Sequence, residues 1–131
     1  MDIPTKKHRK ILLTQALPYA NASLHLGHIL EAVQTDIWSR YQNLNGNECY
    51  FFCADDTHGT PVMLKAKELN ISPEELIKNI YKDHVKTYEK YNILFTNFYS
   101  THSDENKNYS EFIYEKAKSK NLISRETIEQ L

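Results

Sequence analysis

Glycine is scarce in this chain, with three among 131 residues, and cysteine is scarcer, with two. Cys49 and Cys53 cannot build a disulfide framework. In one extended strand they would lie about 13 Å apart, too far for a bridge, and would pack as small apolar residues on a shared face. That usage suits a reducing compartment. Long apolar runs are absent as well. The "ILL" run near the N-terminus is too short for a signal-peptide core, and no stretch approaches a membrane span. The expectation is a soluble, cytoplasmic protein with no membrane partner. An excess of one charge is also missing: the net charge is −1, so no global positive field advertises a nucleic-acid partner. The basic groups Lys6, Lys7, Arg9 and Lys10, and Lys116, Lys118 and Lys120, read as solvated surface.

What is present describes an ordinary globular protein, 40% hydrophobic and 25% charged. A chain of this length supports one domain that buries about two-thirds of its unfolded surface. "KILLTQAL" reads as a short buried strand that turns at Pro18. Leu30, Val33, Ile37, Tyr41 and Leu44 then recur at helical spacing and predict one buried helix face. "NLNG" closes that helix, with Gly46 suited to the left-handed position. "ECYFFCADD" predicts a second strand; its lack of alternation implies cover on both faces. Thr60 is the expected cap of the next helix, with Pro61 at its first position. Ser72, Pro73 and Glu75 predict a capped start for another helix, whose stripe is Ile77, Ile80, His84 and Tyr88. His84 reads as an edge residue of that stripe, not a ligand. "LFTNFYS" is the third strand, and "SDENKNYSEFIYEKAKSK" a helix with acids first and lysines last, as the macrodipole prefers.

Strand, helix, strand, helices, strand, helix is the βαβαβ order of an α/β protein. It predicts the first half of a Rossmann-like, doubly wound parallel sheet. Such sheets bind ligands beyond the carboxyl ends of their strands. Two unusual clusters fall there. In "YANASLHLGH", His25 and His28 flank Gly27 at a helix start, where free N–H groups and the positive end of the dipole favour phosphate oxygens. A flat base or ribose against Gly27 would offset a helix penalty of about 1 kcal/mol. Chelation of a metal by the two imidazoles is the competing use of the same residues. In "ADDTHGTP", Asp55 and Asp56 end a buried strand, where carboxylates are costly unless they meet a cation or donors. One is suited to a ligand ammonium group and the other to capping or to pairing with His58; capping by both is the plain alternative. Gly59 suggests a positive φ or a close backbone approach.

"HLGH" resembles the HIGH signature of the class I aminoacyl-tRNA synthetases. "ALPYAN", "CADDTHGTPVMLKA", "STHSDEN" and "LISRETIEQL" are similar to the N-terminal part of the methionyl-tRNA synthetase family, from about Lys10 to Leu131. The resemblance implies an enzyme that joins methionine to ATP with Mg²⁺, giving methionyl-adenylate and pyrophosphate, and passes methionine to tRNA(Met). On that resemblance His25 and His28 are the catalytic residues, stabilising the triphosphate. Tyr19, Asn21, His25, Gly27, His28 and Glu31 bind ATP. Ala16, Leu17, Tyr19 and Asp56 bind methionine, with Leu17 acting through its backbone. The implied organisation is an N-terminal tail over 1–9, the first half of the nucleotide-binding catalytic domain over 10–120, and the start of a connective insertion over 121–131. The family's zinc-bearing insertion, its "KMSKS" lysine loop and its anticodon-binding domain have no counterpart in these residues. No metal ligands are therefore expected here, with zinc only if that insertion carries it, and the 131 residues alone are expected to be inactive in aminoacylation. Three rival readings stand beside this one. They are a small nucleotidyltransferase using the same histidine device, a non-catalytic module derived from a synthetase, and a synthetase for leucine, isoleucine or valine.

Overall fold

The computed structural model describes residues 8–127. Its elements run in the expected order: β1 (Lys10–Thr14), α1 (Leu26–Leu44), β2 (Glu48–Asp55), α2 (Thr60–Glu68), α3 (Pro73–Lys90), β3 (Asn97–Ser100) and α4 (Asp104–Ser119). The three strands form one parallel sheet in the order β1-β2-β3. β1 runs beside the first half of β2, pairing Lys10 with Glu48 and Thr14 with Phe52. β3 runs beside the second half, pairing Phe52 with Asn97 and Asp55 with Ser100. Only β2 lies between two neighbours, so its carboxyl end becomes the centre around which the connecting loops gather. This is the Rossmann-like α/β half.

The chain forms two compact units, one through Thr101 and the other from His102. In the first, Phe51 of β2 is fully buried among Ile29 and Ala32 of α1, Tyr88 of α3 and Ile93. Edge-to-face contacts of Tyr88 with Phe95 and Phe98, at ring separations of 5.0 and 5.2 Å, complete this core. A second cluster joins Val62 and Ala66 of α2 to Leu76 of α3, with Tyr19, Ile71, Ile77 and Ile80 against it. α3 begins as its sequence predicts: Ser72 accepts from the Glu75 N–H at 3.1 Å and Pro73 follows. Within the second unit, Ser103 caps α4 by accepting from the Asn106 N–H at 3.2 Å, with Asp104 and Glu105 in the first turn and Lys116 and Lys118 in the last. Among the described residues no helix is long and apolar enough to cross a membrane.

Several expectations are corrected. β1 is not buried: Leu12 is 72% exposed, because this strand forms one edge of the described sheet. The predicted apolar face of α1 points outward instead, with Leu30, Ile37, Tyr41 and Leu44 exposed and Val33 half-buried. The face turned inward carries Ile29, Ala32, Asp36, Ser39 and Gln42. Hydrogen bonds set that orientation. Asp36 accepts from the Leu94 N–H at 2.9 Å and from Arg40 Nε at 2.6 Å, and Gln42 accepts from Asn47 at 2.7 Å. Helical periodicity shows which residues are apolar, whereas these polar partners decide which side is packed.

β2 is sealed only on the face of Phe51, Cys53 and Asp55; Tyr50 on the other face is 41% exposed. The cap of α2 is Gly59, not Thr60, which places Pro61 one position deeper. Gly59 has the positive φ its sequence context suggests, +119°, and Gly46 has φ +78°. Both cysteines are free, and burial pushes the Cys53 thiol up to about 12, where it acts as a small apolar group.

Candidate nucleotide and amino-acid site

The segment after β1 does not leave the sheet cleanly. It rejoins the ladder one step beyond β2, where the Asp56 N–H donates to the Pro18 carbonyl at 2.9 Å and the Ala20 N–H donates to the Asp56 carbonyl at 2.8 Å. Tyr19 and Asp56 are thereby brought side by side at the carboxyl ends of the strands. The Tyr19 hydroxyl donates to the His58 carbonyl, and a Cβ at Gly59 would collide with that hydroxyl. Gly59 is thus required twice over, by its φ and by Tyr19. No described residue pairs with the Asp56 carboxylate, which is half-buried beside the loop.

His25 and His28 are brought together more closely than their spacing alone implies. His25 is the N-cap of α1, in extended backbone at φ −99° and ψ 170°. Its Nδ1 accepts from the Gly27 N–H at 3.1 Å and the His28 N–H at 3.4 Å, and His28 Nδ1 accepts from the His25 N–H at 3.3 Å. The rings stack, with centroids 3.6 Å apart and planes 18° apart. The helix-start N–H groups read from the sequence as free for phosphate are therefore partly occupied by the His25 ring. The consequence is chemical. Each Nδ1 acts as an acceptor, so each neutral ring carries its proton on Nε2 and presents it as a donor. Burial lowers the pKa of His28, with the neighbouring His25 and His84 adding to the effect, so this ring is a neutral donor at pH 7.

Gly27 has a local explanation in the same geometry: a Cβ there would lie 2.9 Å from Cε1 of the His25 ring. The ring as it stands already favours glycine there, in addition to the expected space for a nucleoside. Glu31 accepts from the Ala16 N–H at 2.8 Å through one carboxylate oxygen and ties that residue to α1. Leu17 is 43% exposed, Ala16 is exposed and Asn21 half-buried, all on the same loop. Among the described residues no three His, Cys, Asp or Glu side chains converge as a group that could hold a metal ion.

The pairing anticipated for His58 goes elsewhere. Asp55 meets His84, whose Nδ1 lies 2.7 Å from Asp55 Oδ1, and both residues are fully buried. His84 is therefore no edge residue of its stripe; the stripe itself consists of Leu76, His84 and Tyr88, with Ile77 and Ile80 half-buried. Strand parity was the available signal. Asp55 shares a face with Phe51 and Cys53, so a buried carboxylate in need of a partner was implied at that position.

The family described as tRNA synthetases class I (M) matches residues 11–131 of this chain. Among solved structures, a LeuRS–tRNA–LeuAMS ternary complex of Agrobacterium radiobacter superposes with a TM-score of 0.85 at 19% identity, over 95% of this chain and 16% of that one. Two structures of methionyl-tRNA synthetase from Mycobacterium tuberculosis, both with methionyl-adenylate, give TM-scores of 0.81 and 0.79. Their identities are 24% and 25%, over 86% of this chain and 22% of theirs. The chain thus spans about a sixth to a fifth of the solved chains it matches. The parallel sheet, the stacked histidine pair and a family match running nearly end to end agree, and the chain belongs to the class I tRNA synthetases, in the group marked (M).

Proposed function

We propose that these residues form part of the site in which a methionine–tRNA ligase activates methionine with ATP and then transfers it to tRNA(Met), in the cytoplasm. The observation that carries this reading is the stacked pair of Nε2–H donors at the start of α1, together with Tyr19 and Asp56 bridged at the carboxyl ends of the strands. In the proposal residues 10–120 belong to the nucleotide-binding catalytic domain. His25 and His28 are its catalytic residues, donating to the triphosphate. Tyr19, Asn21 and Gly27 border the adenosine. Asp56 and the Leu17 carbonyl receive the methionine ammonium group, with Ala16 and Tyr19 along the side chain. Glu31, by holding the Ala16 amide, fixes the loop from which Leu17 acts. Mg²⁺ bound to the triphosphate, beside the His25 and His28 donors, would supply charge neutralisation there.

The chemistry needs little from acid or base groups. The methionine carboxylate is already a nucleophile: one of its oxygens bonds to the α-phosphorus as the bond to the bridging oxygen breaks, and pyrophosphate leaves with that electron pair. Rate is gained by holding the two reactants in line and by aiming fixed donors at the oxygens that gain charge. Two neutral imidazoles, already oriented by the backbone they cap, fit that task.

A leucine-activating reading draws on the LeuRS superposition, but at 19% identity that likeness concerns the fold alone. Calorimetric titration with non-hydrolysable methionyl- and leucyl-adenylate analogues separates the two. The methionyl analogue is expected to bind at least about tenfold tighter, within the range an apolar pocket can discriminate. Equal or reversed affinities overturn the choice of methionine, and failure of both to bind overturns the nucleotide site.

A further inference from the structure

The residues that face the ligand stand on a buried pair to which none of them belongs. His84 and Asp55 are both without solvent exposure. Nδ1 of His84 lies 2.7 Å from Asp55 Oδ1, and its Nε2 lies 2.9 Å from the Ala22 carbonyl oxygen. A carbonyl oxygen can only accept, so Nε2 carries a hydrogen. The contact between Nδ1 and Oδ1 needs another, on the ring or on the carboxyl group. The pair therefore holds one proton more than a neutral imidazole beside a carboxylate.

The charged and titratable groups around the ring are Asp55 from β2, Asp83 on α3 itself and His28 from α1; Tyr81, Tyr88 and Cys53, all pushed up first by burial, also feel Asp55. Burial alone pulls the imidazole pKa down. The hydrogen bond and charge of Asp55, the Ala22 carbonyl and Asp83 together outweigh it, and the pKa ends above the usual histidine value. Ala22 belongs to the loop that carries Tyr19, Asn21 and His25. One ring thus spans three parts of the fold: α3, the carboxyl end of β2 and the loop of the site.

Resting on the nucleotide reading above, we propose that His84 is a positioning residue: held with a proton between Asp55 and the Ala22 carbonyl, it fastens the ligand-binding loop to β2 and so sets where the two outward Nε2 donors lie. It acts by a second route as well, since a positive charge this near to His28 disfavours protonation of His28 and keeps it a neutral donor.

Two variants test this in the 131-residue chain, with ¹⁵N-histidine NMR and ATP calorimetry as readouts. In Asp55→Asn the amide can donate to Nδ1 while Nε2–H stays on Ala22, so the hydrogen-bond geometry survives with one proton fewer. His84→Phe fills the space but releases Ala22. In the parent chain both ring nitrogens of His84 should read as protonated at neutral pH. Asp55→Asn should leave Nδ1 unprotonated, with ATP affinity changed only a few-fold. His84→Phe should raise the His28 titration midpoint, displace the Tyr19–His25 amide signals and weaken ATP binding by about tenfold, the scale of one hydrogen bond to a charged group. A His84 ring singly protonated at neutral pH, or an Nδ1 still protonated in Asp55→Asn, overturns the proposal. So does a folded His84→Phe with unchanged loop signals and ATP affinity. If His84→Phe does not fold, the two Asp55→Asn readouts decide alone. If the parent chain binds no ATP, these residues alone do not hold the nucleotide, while the His28 shift in His84→Phe and the loop signals still judge the role of His84.

Discussion

Two histidine arrangements lie close together in this molecule and use the same side chain in opposite ways. His25 and His28 spend one nitrogen each on the backbone of α1 and keep the other available; the rings are stacked, His25 is exposed and His28 half-buried. His84 spends both nitrogens on internal partners and sees no solvent. The first arrangement leaves directed donors where a ligand can reach them, and the second leaves nothing for a ligand to bind. Histidine as a residue type therefore points to no role here. The second nitrogen of each ring decides between binding and bracing.

The largest effect should come from removing an open nitrogen. His28→Ala in the catalytically competent synthetase should slow adenylate formation on the order of a hundredfold, the usual scale for loss of a preorganised donor to a developing charge. Thermal stability should change little, because the deleted ring is half-exposed and its cap bond is long, at 3.3 Å. Methionine-dependent pyrophosphate exchange measures the first and calorimetry the second. A loss of stability matching the loss of rate would make His28 a brace like His84.

Asp56→Ala should follow. Its carboxylate has no described partner to lose, so the fold should stand while the methionine requirement rises roughly ten- to a hundredfold, the worth of a charged hydrogen bond to an ammonium group. The ATP requirement should move far less. Pyrophosphate exchange at varied methionine and varied ATP separates the two, and a dominant change in ATP would place the sites in reverse.

Gly27→Ala sharpens the comparison from the backbone side. The added Cβ, 2.9 Å from the His25 ring, should unstack the imidazoles and loosen the cap while leaving both residues in place. ATP affinity should fall several-fold, with the ring-proton shifts of His25 and His28 separating, for about 1 kcal/mol of disrupted capping. Unchanged ring shifts would show that the glycine serves only the ligand.

Much of this was legible in the sequence, but unevenly. Element order and the carboxyl-end location followed from local signals that tertiary packing does not overrule: the apolar run over Cys49–Cys53, the Ser72 cap before Pro73, and the glycines at positive φ. The facing of α1 did not follow. Its stripe of Leu30, Ile37 and Tyr41 is exposed because Asp36 and Gln42 find polar partners on the inner side, and those partners lie elsewhere in the chain. His84 was missed for the same reason. Its partners are 29 and 62 residues away, and no local window contains the need of Asp55 for a proton. Strand parity could have marked Asp55 as buried, but not which residue answers it.

The smallest expected effect is also the one that tests the bracing arrangement without any mutation. His84 has a pKa raised above that of the unfolded chain, so protonation favours the folded state. Its contribution is complete below the unfolded value near 6.5 and is lost as pH rises through the higher folded value. Thermal unfolding followed by calorimetry should therefore show the midpoint falling as pH rises from about 6.5 through the folded value. Asp55→Asn, which leaves the ring neutral throughout, should flatten that limb. Of the open pair, His28 contributes in the other direction, because its pKa is lowered and its protonation opposes folding only as pH falls below its unfolded value. A stability curve whose alkaline limb is unchanged by Asp55→Asn would show that the buried ring holds no proton at stake, and the contrast between the two histidine arrangements would reduce to one of exposure alone.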